Sequence, residues 1–402
     1  MPHPPLGADR KAIGLFGALG TLALVLGTSI VWYPPISPGG PGCAGIGPTD
    51  PQIRDGSPTI RSAFGSGGIQ ILGANTTTVL IGGVGSYHRV GGVYATTPAL
   101  EAWPLEGGTP QDLTARVAPF FPAGGLYPVV WNGSAWLIGG QRNSTGASGP
   151  SLVFLEGSRT TDRSADVAPY FQGGWIWTAG WDGTGWLIAG SSSSGAAAVY
   201  LVGERLVDLS TEIPHNRAGD WVQWVGWNGT GWLLGGGGVL SAYVPSAPMV
   251  DLYPASPFSG GGVYGGDWNG SRWLVGGSPA SIAFIDGDAI TGAPALPSGT
   301  SGWINAVVAY PGGWLVGGGV VLGPDQVRPL LDRVSNGPSP AVRDLSGQLP
   351  AAFGGGWIQD GRWVERAPSA LLLFGGVGGA DPVEGPGAGA LAEVSWSCPP
   401  IG

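Results

Sequence analysis

Apolar positions along this chain fall into two regimes. Residues 12–33 (AIGLFGALGTLALVLGTSIVWY) are 22 positions without a charge, whereas the remainder sets short apolar runs between Gly, Pro, Asn and Asp. The later runs recur. An apolar pair followed by small residues stands at LIGG 80–83, LIGG 137–140, LIAG 187–190, LLGG 233–236, LVGG 274–277, LVGG 315–318 and LFGG 373–376. Their starts are 57, 50, 46, 41, 41 and 58 residues apart, about the length of one four-stranded propeller blade with variable loops.

Four copies share a preceding segment: VVWNGSAWLIGG, AGWDGTGWLIAG, VGWNGTGWLLGG and GDWNGSRWLVGG. Asn-Gly or Asp-Gly between apolar flanks predicts strand, tight turn, strand. The second strand is apolar at successive positions, so both of its faces are covered. Its closing glycines let backbones approach where sheets crowd. A third apolar segment follows, as in SLVFL 151–155, AAVYLV 197–202 and SIAFI 281–285, and then a fourth, as in QDLTARVAPFF 111–121, SADVAPYF 164–171, VDLSTEIP 207–214, VDLYPASPF 250–258 and RDLSGQLPAAF 343–353. Residues 53–68 align with 342–356, so the chain enters the repeats on a fourth strand. The expectation is an all-β, seven-bladed β-propeller over 53–398, closed by an N-terminal strand joining the last blade, with 399–402 as a tail.

The 12–33 run is long enough, at about 1.5 Å per residue, to cross a bilayer. Arg10 and Lys11 precede it and no basic residue follows before Arg54. The positive-inside bias then leaves 1–11 as a short cytoplasmic N-terminus, 12–33 as one transmembrane signal-anchor helix and 34–52 as a Pro/Gly-rich linker. This predicts a single-pass cell-membrane protein with an extracytoplasmic C-terminal domain. Gly27 and Ser29 also suit a signal peptidase, so secretion after cleavage is the alternative.

Composition changes the picture in three ways. Seventy-eight Gly and 37 Pro suit a disordered chain, but 19 Trp, 43% hydrophobic and only 11% charged residues supply the burial of a folded, turn-dense one. No glycine recurs at every third position and Glu and Lys are scarce, which excludes collagen and coiled coil. Lys11 is the one lysine, so Schiff-base chemistry is excluded beyond it. From residue 34 onward 25 acids face 15 Arg, a net charge of −10, which excludes nucleic acid as a partner. Cys43 and Cys398 stand near the two ends of the folded region. With blade strands a to d, both fall on the face carrying the a–b turns, where a disulfide could form; two unpaired thiols are the alternative. The bond would stabilise the ring by about 4–5 kcal/mol in the chain-entropy model, and an oxidising exterior favours it.

Repeats whose second strand ends in a glycine pair resemble the Kelch and galactose-oxidase-like β-propellers, over about residues 53–398. The resemblance implies the fold. A galactose-oxidase copper centre uses two His, a Tyr and a Cys-linked Tyr; here His88 and His215 stand with both cysteines at the ends, so that site is not carried over. The D/N-G-T/S-x-W turns are similar to sialidase Asp-box hairpins, with Asn replacing Asp in three of four copies. Neither a metal nor another cofactor is expected; Asp286 and Asp288 are too few for a calcium site.

A ligand is expected on the face bearing the b–c and d–a loops, away from the membrane. Its polar clusters are Tyr87-His88-Arg89, Gln141-Arg142-Asn143, His215-Asn216-Arg217 with Asp220, and Asp325-Gln326 with Arg328. The hairpin residues Trp131, Trp136, Trp181, Trp186, Trp227, Trp232, Trp268 and Trp273 are either sugar-stacking platforms or packing, and recurrence favours packing. N-x-S/T sequons begin at Asn75, Asn132, Asn143, Asn228 and Asn269. Turn chemistry explains three of these, leaving Asn143 as the expected glycan acceptor. The functional expectation is a membrane-anchored binding module for a carbohydrate or an envelope or other surface protein. The alternative is a cell-surface glycan hydrolase or lyase, with Asp, Glu, Tyr and Arg gathered in the funnel.

Overall fold

The computed structural model describes residues 51–396 except 91–92, 145–146, 215–216, 246, 259, 298–300, 324–325, 338, 367–368 and 379–388. The 12–33 run, Cys43, Cys398, His215 and Asp325 lie outside the described residues. Among the described residues no helix is long and apolar enough to cross a membrane.

These strands form five four-stranded antiparallel sheets and one eight-stranded sheet. The eight-stranded sheet is two four-stranded units, 221–251 and 262–292, joined at the Gly237–Gly262 pair. The first strand of each unit packs against the first strand of the next. Trp357–Arg366 packs in turn against Gly68–Ala74, so the first strands close a ring around an axis. This is a β-propeller. Its blades bury apolar side chains against one another, as where Ile60, Phe64, Ile69 and Ile81 meet Val364, Leu371, Leu373 and Leu391. Each such side chain contributes about 1.5–3 kcal/mol.

The closure read from the sequence is present. Gln52–Asp55 pairs antiparallel with Gly389–Trp396, in the register Gln52–Ser395, Ile53–Val394, Arg54–Glu393 and Asp55–Ala392. A motif within the fourth elements secures the outer strands. An aspartate accepts the backbone N–H two residues on: Asp55 from Ser57, Asp112 from Thr114, Asp162 from Ser164, Asp208 from Ser210 and Asp344 from Ser346, at 2.7–2.9 Å. The hydroxyl of that Ser or Thr then accepts the third strand's N–H, at Leu391, Leu100, Leu152, Ala198 and Leu331, at 3.0–3.1 Å. Asp-x-Ser/Thr thus clamps the outer edge of a blade.

The glycine pair has a separate steric reason at each member. A Cβ on Gly276 would lie 2.4 Å from Ile304 Cγ2 of the next blade, and one on Gly375 would lie 2.5 Å from Ile69 Cγ2 across the closure. The first glycine therefore makes room for the neighbouring blade. A Cβ on Gly236 or Gly318, the second glycine, would lie 1.8 or 1.9 Å from the carbonyl oxygen of Trp221 or Trp303 in its own inner strand.

The hairpins differ from the tight turn expected of Asn-Gly. Trp131 pairs with Trp136, and Asn132 N–H bonds to Ala135 O, so four residues form the loop. The asparagine acts through its side chain: Asn228 Oδ1 accepts from the N–H groups of Thr230 and Gly231 at 2.9 and 2.8 Å and from the Thr230 hydroxyl. Positive φ belongs to the following glycine, +95° at Gly229. Asp182 does the same work in its copy. Asn228→Ala is therefore expected to cost about 1–2 kcal/mol in urea unfolding, with Asn228→Asp near neutral. Equal losses for the two would refute the side-chain role.

Candidate functional site at the axis

A ring of uncharged groups surrounds the axis, and its cause is local. In each blade the pairing of first with second strand slips at the same place: after Ile69, Leu126, Ile176, Val222, Val263, Ile304 and Ile358. The residues left over are Gln70, Tyr127 with the buried Pro128, Trp177, Gln223, Tyr264, Asn305 and Gln359, all but Pro128 half-buried. A bulge turns its extra side chain out of the sheet's alternation, and on an innermost strand the free edge faces the axis. Two residues before the bulge stand Trp175, Trp221, Trp303 and Trp357, and glycine at Gly68, Gly125 and Gly262. The second glycine of each pair gives their carbonyls room, which ties the sequence repeat to this site.

The ring is cross-linked. Tyr127 and Trp177 of adjacent blades lie with centroids 4.5 Å apart, Trp175 and Trp177 5.0 Å, and Trp303 and Trp357 5.9 Å. Trp221 Nε1 donates to Gln223 Oε1 at 3.2 Å and Trp357 Nε1 to Gln359 Oε1 at 3.1 Å. Asn305 Nδ2 donates to the same Gln359 oxygen at 3.1 Å, joining two blades. Trp175 Nε1 reaches Ser148 Oγ at 2.7 Å. Burial raises the Tyr264 hydroxyl above its ordinary range, opposed by a bond to Ser278.

Charged groups occur further along the same inner strands. Asp360 Oδ2 accepts from Leu72 N–H at 2.7 Å and Asp267 Oδ2 from Ala309 N–H at 2.8 Å, each in the following blade. Burial raises Asp360 to about 7 and Asp267 to about 6, against the pull of these hydrogen bonds and of Arg362. Both carboxylates therefore fasten one inner strand to the next. Among the described residues no group of three or more His, Cys, Asp or Glu could hold a metal ion.

The described polar residues expected on the loops belong to different blades. Tyr87, His88 and Arg89 belong to the strand Thr78–Val90, which pairs with Val93–Pro104, so the connection read as a loop is an extended ribbon. Gln141 and Arg142 lie in the strand Trp136–Ser144, and Gln141 is 7% exposed, with a buried Oε1 that finds no partner. Arg217 N–H bonds to Asp220 Oδ2 at 2.7 Å in an exposed turn. Arg328 pairs with Val320 in another blade. Asn143 Nδ2 donates to Ala123 O at 3.1 Å, a bond that a glycan there would replace.

The hairpin tryptophans pack. Trp136, Trp186, Trp232 and Trp273 are buried, and Trp131, Trp181, Trp227 and Trp268 lie against them. Sequence reasoning passed over the inner-strand tryptophans because their neighbours differ from blade to blade. A signal was present: Ile, Val or Leu stands at one fixed position, with Trp or Gly before it and Gln, Asn, Tyr or Trp after it.

No family model matches the chain, and no curated protein matches it. Among solved structures it is similar to the WD40 β-propeller domain of Doa1, at 11% identity and TM-score 0.52 over 87% of this chain and 97% of that one. It is also similar to YCF48, determined bound to D1 peptide, at 10% identity and TM-score 0.50 over 90% and 99%. At such identities the likeness is one of fold: the chain is a β-propeller.

Proposed function

We propose that this chain is a seven-bladed, Kelch-like propeller that serves as a binding module, with its ligand seated at the axial mouth. The blade number rests on counting the two units of the eight-stranded sheet separately, and the Kelch likeness on the glycine pairs. The observation that carries the binding reading is the uncharged ring of Trp175, Trp177, Trp221, Trp303 and Trp357 with Tyr127, Tyr264 and four amide side chains. Half-exposed indoles with polar edges are costly to leave in water and suited to a partner with apolar faces. YCF48, whose structure contains a peptide, supports a protein or peptide ligand for the same fold. In this reading residues 12–33 hold the protein in the cell membrane, the propeller lies outside, and Cys43–Cys398 latches the ring.

The test is a screen of peptide and glycan arrays with the wild-type protein and two variants. Trp175→Ala with Trp303→Ala should weaken any hit at least tenfold, whereas Arg217→Ala with Arg328→Ala should change it less than twofold. The reverse pattern would move the site to the peripheral loops. A hydrolase or lyase reading requires converging acids, and Asp267 and Asp360 are instead engaged by backbone N–H groups of the following blade.

A further inference from the structure

The hydrogen-bonding inventory of the mouth narrows the ligand. Gln223 Oε1 is occupied by Trp221, and Gln359 Oε1 by both Trp357 and Asn305. By contrast, the indole N–H groups of Trp177 and Trp303 and the amide nitrogens of Gln70, Gln223 and Gln359 donate to no described residue. Gln70 Oε1 and Asn305 Oδ1 are the amide oxygens of the ring to which no described group donates. The mouth thus presents flat aromatic faces and an excess of donors, and its ring residues carry no charge.

A fitting ligand accepts hydrogen bonds, donates few and offers apolar flats. A sugar hydroxyl can accept from the ring's donors, but each one also brings a donor, for which the ring offers few open acceptors. An ordinary extended peptide likewise brings one N–H donor for every carbonyl acceptor. A proline-rich segment does not. Its carbonyls accept, its prolines lack the N–H, its rings stack on indole, and its preformed helix loses little entropy on docking. Resting on the reading of the mouth as the binding site, we infer that the axial ring of this propeller recognises a neutral, proline-rich extended peptide segment.

The experiment titrates the full-length chain in detergent, by tryptophan fluorescence and calorimetry, with three probes. These are end-blocked decaproline, an end-blocked Gly-Ser decapeptide and a neutral linear glucan hexasaccharide. Decaproline should bind at least tenfold more tightly than the other two. Trp303→Phe, which keeps a ring but removes the donor, and Gln359→Leu should each weaken it at least fivefold. Trp131→Phe, in a hairpin outside the mouth, should leave it unchanged, and thermal melting by circular dichroism checks that every variant folds. Preference for the glucan, weakened by Trp303→Phe, would overturn the peptide assignment and keep the mouth. Decaproline binding that ignores both mouth variants would overturn the assignment and the mouth together. Binding of none of the probes would overturn the proline assignment, while the array screen judges the mouth independently.

Discussion

A chain lacking residues 1–56 is expected to unfold about 3–6 kcal/mol more easily than the full-length protein. The deletion removes every pair between Gln52–Asp55 and Gly389–Trp396. It also removes Ile53 from the core around Val394 and Trp396, and the 3.0 Å bond from Gly56 N–H to Leu391 O. What remains is an open edge on the last blade, which invites association between copies. Urea denaturation should show a lower midpoint and size-exclusion chromatography should show oligomers. Ser57→Ala isolates the clamp: its hydroxyl is fully buried and bonds both Leu391 N–H and Leu391 O. That loss should cost about 1–3 kcal/mol. Unchanged midpoints for both variants would mean that ring closure contributes nothing to stability.

That closure was legible because it repeats. IRDGSPT near the start and VRDLSGQ near the end carry the same Asp-x-Ser, and the structure gives both the same bonds. The glycine pairs were legible for a similar reason: a backbone clash recurs wherever the fold recurs. The propensity of Asn-Gly places Asn132 and Asn228 in turns, while their side-chain capping depends on backbone N–H groups that only the folded hairpin brings within reach. The axial mouth was the least legible part. Its seven bulge positions hold Gln, Tyr, Trp, Gln, Tyr, Asn and Gln, a set of residue types and not one repeated letter, because each faces a common space and not a common neighbour. The sequence directed attention to charged loops, since charge is conspicuous in a chain that is only 11% charged. The fold spreads those loops among separate blades and gathers neutral groups at the axis.

Stability is expected to fall as pH rises from about 5 to about 8, and one buried side chain should account for much of the fall. Glu101 is 1% exposed, in the third strand of its blade beside Ile81, and neither carboxyl oxygen has a hydrogen-bond partner. Burial, with Asp112 opposite, raises it to about 7. Its folded pKa therefore lies above its unfolded value, and the folded state holds the proton more tightly. The resulting stabilisation is fully present below the unfolded pKa and is lost as pH rises through about 7. Asp360 and Asp267, raised to about 7 and about 6, add slope of the same sign. Val153 and Val199 occupy the equivalent place in two other blades, opposite Ile138 and Ile188, so Glu101→Val should fit the same space. The variant should be more stable than wild type by about 1–3 kcal/mol at pH 8, with the gain shrinking toward zero near pH 4. Thermal melts at pH 5, 6.5 and 8 test this. A wild-type melting temperature that does not fall between pH 5 and pH 8, or a Glu101→Val variant that melts lower at pH 8, would show that the carboxyl finds a partner the fold does not display.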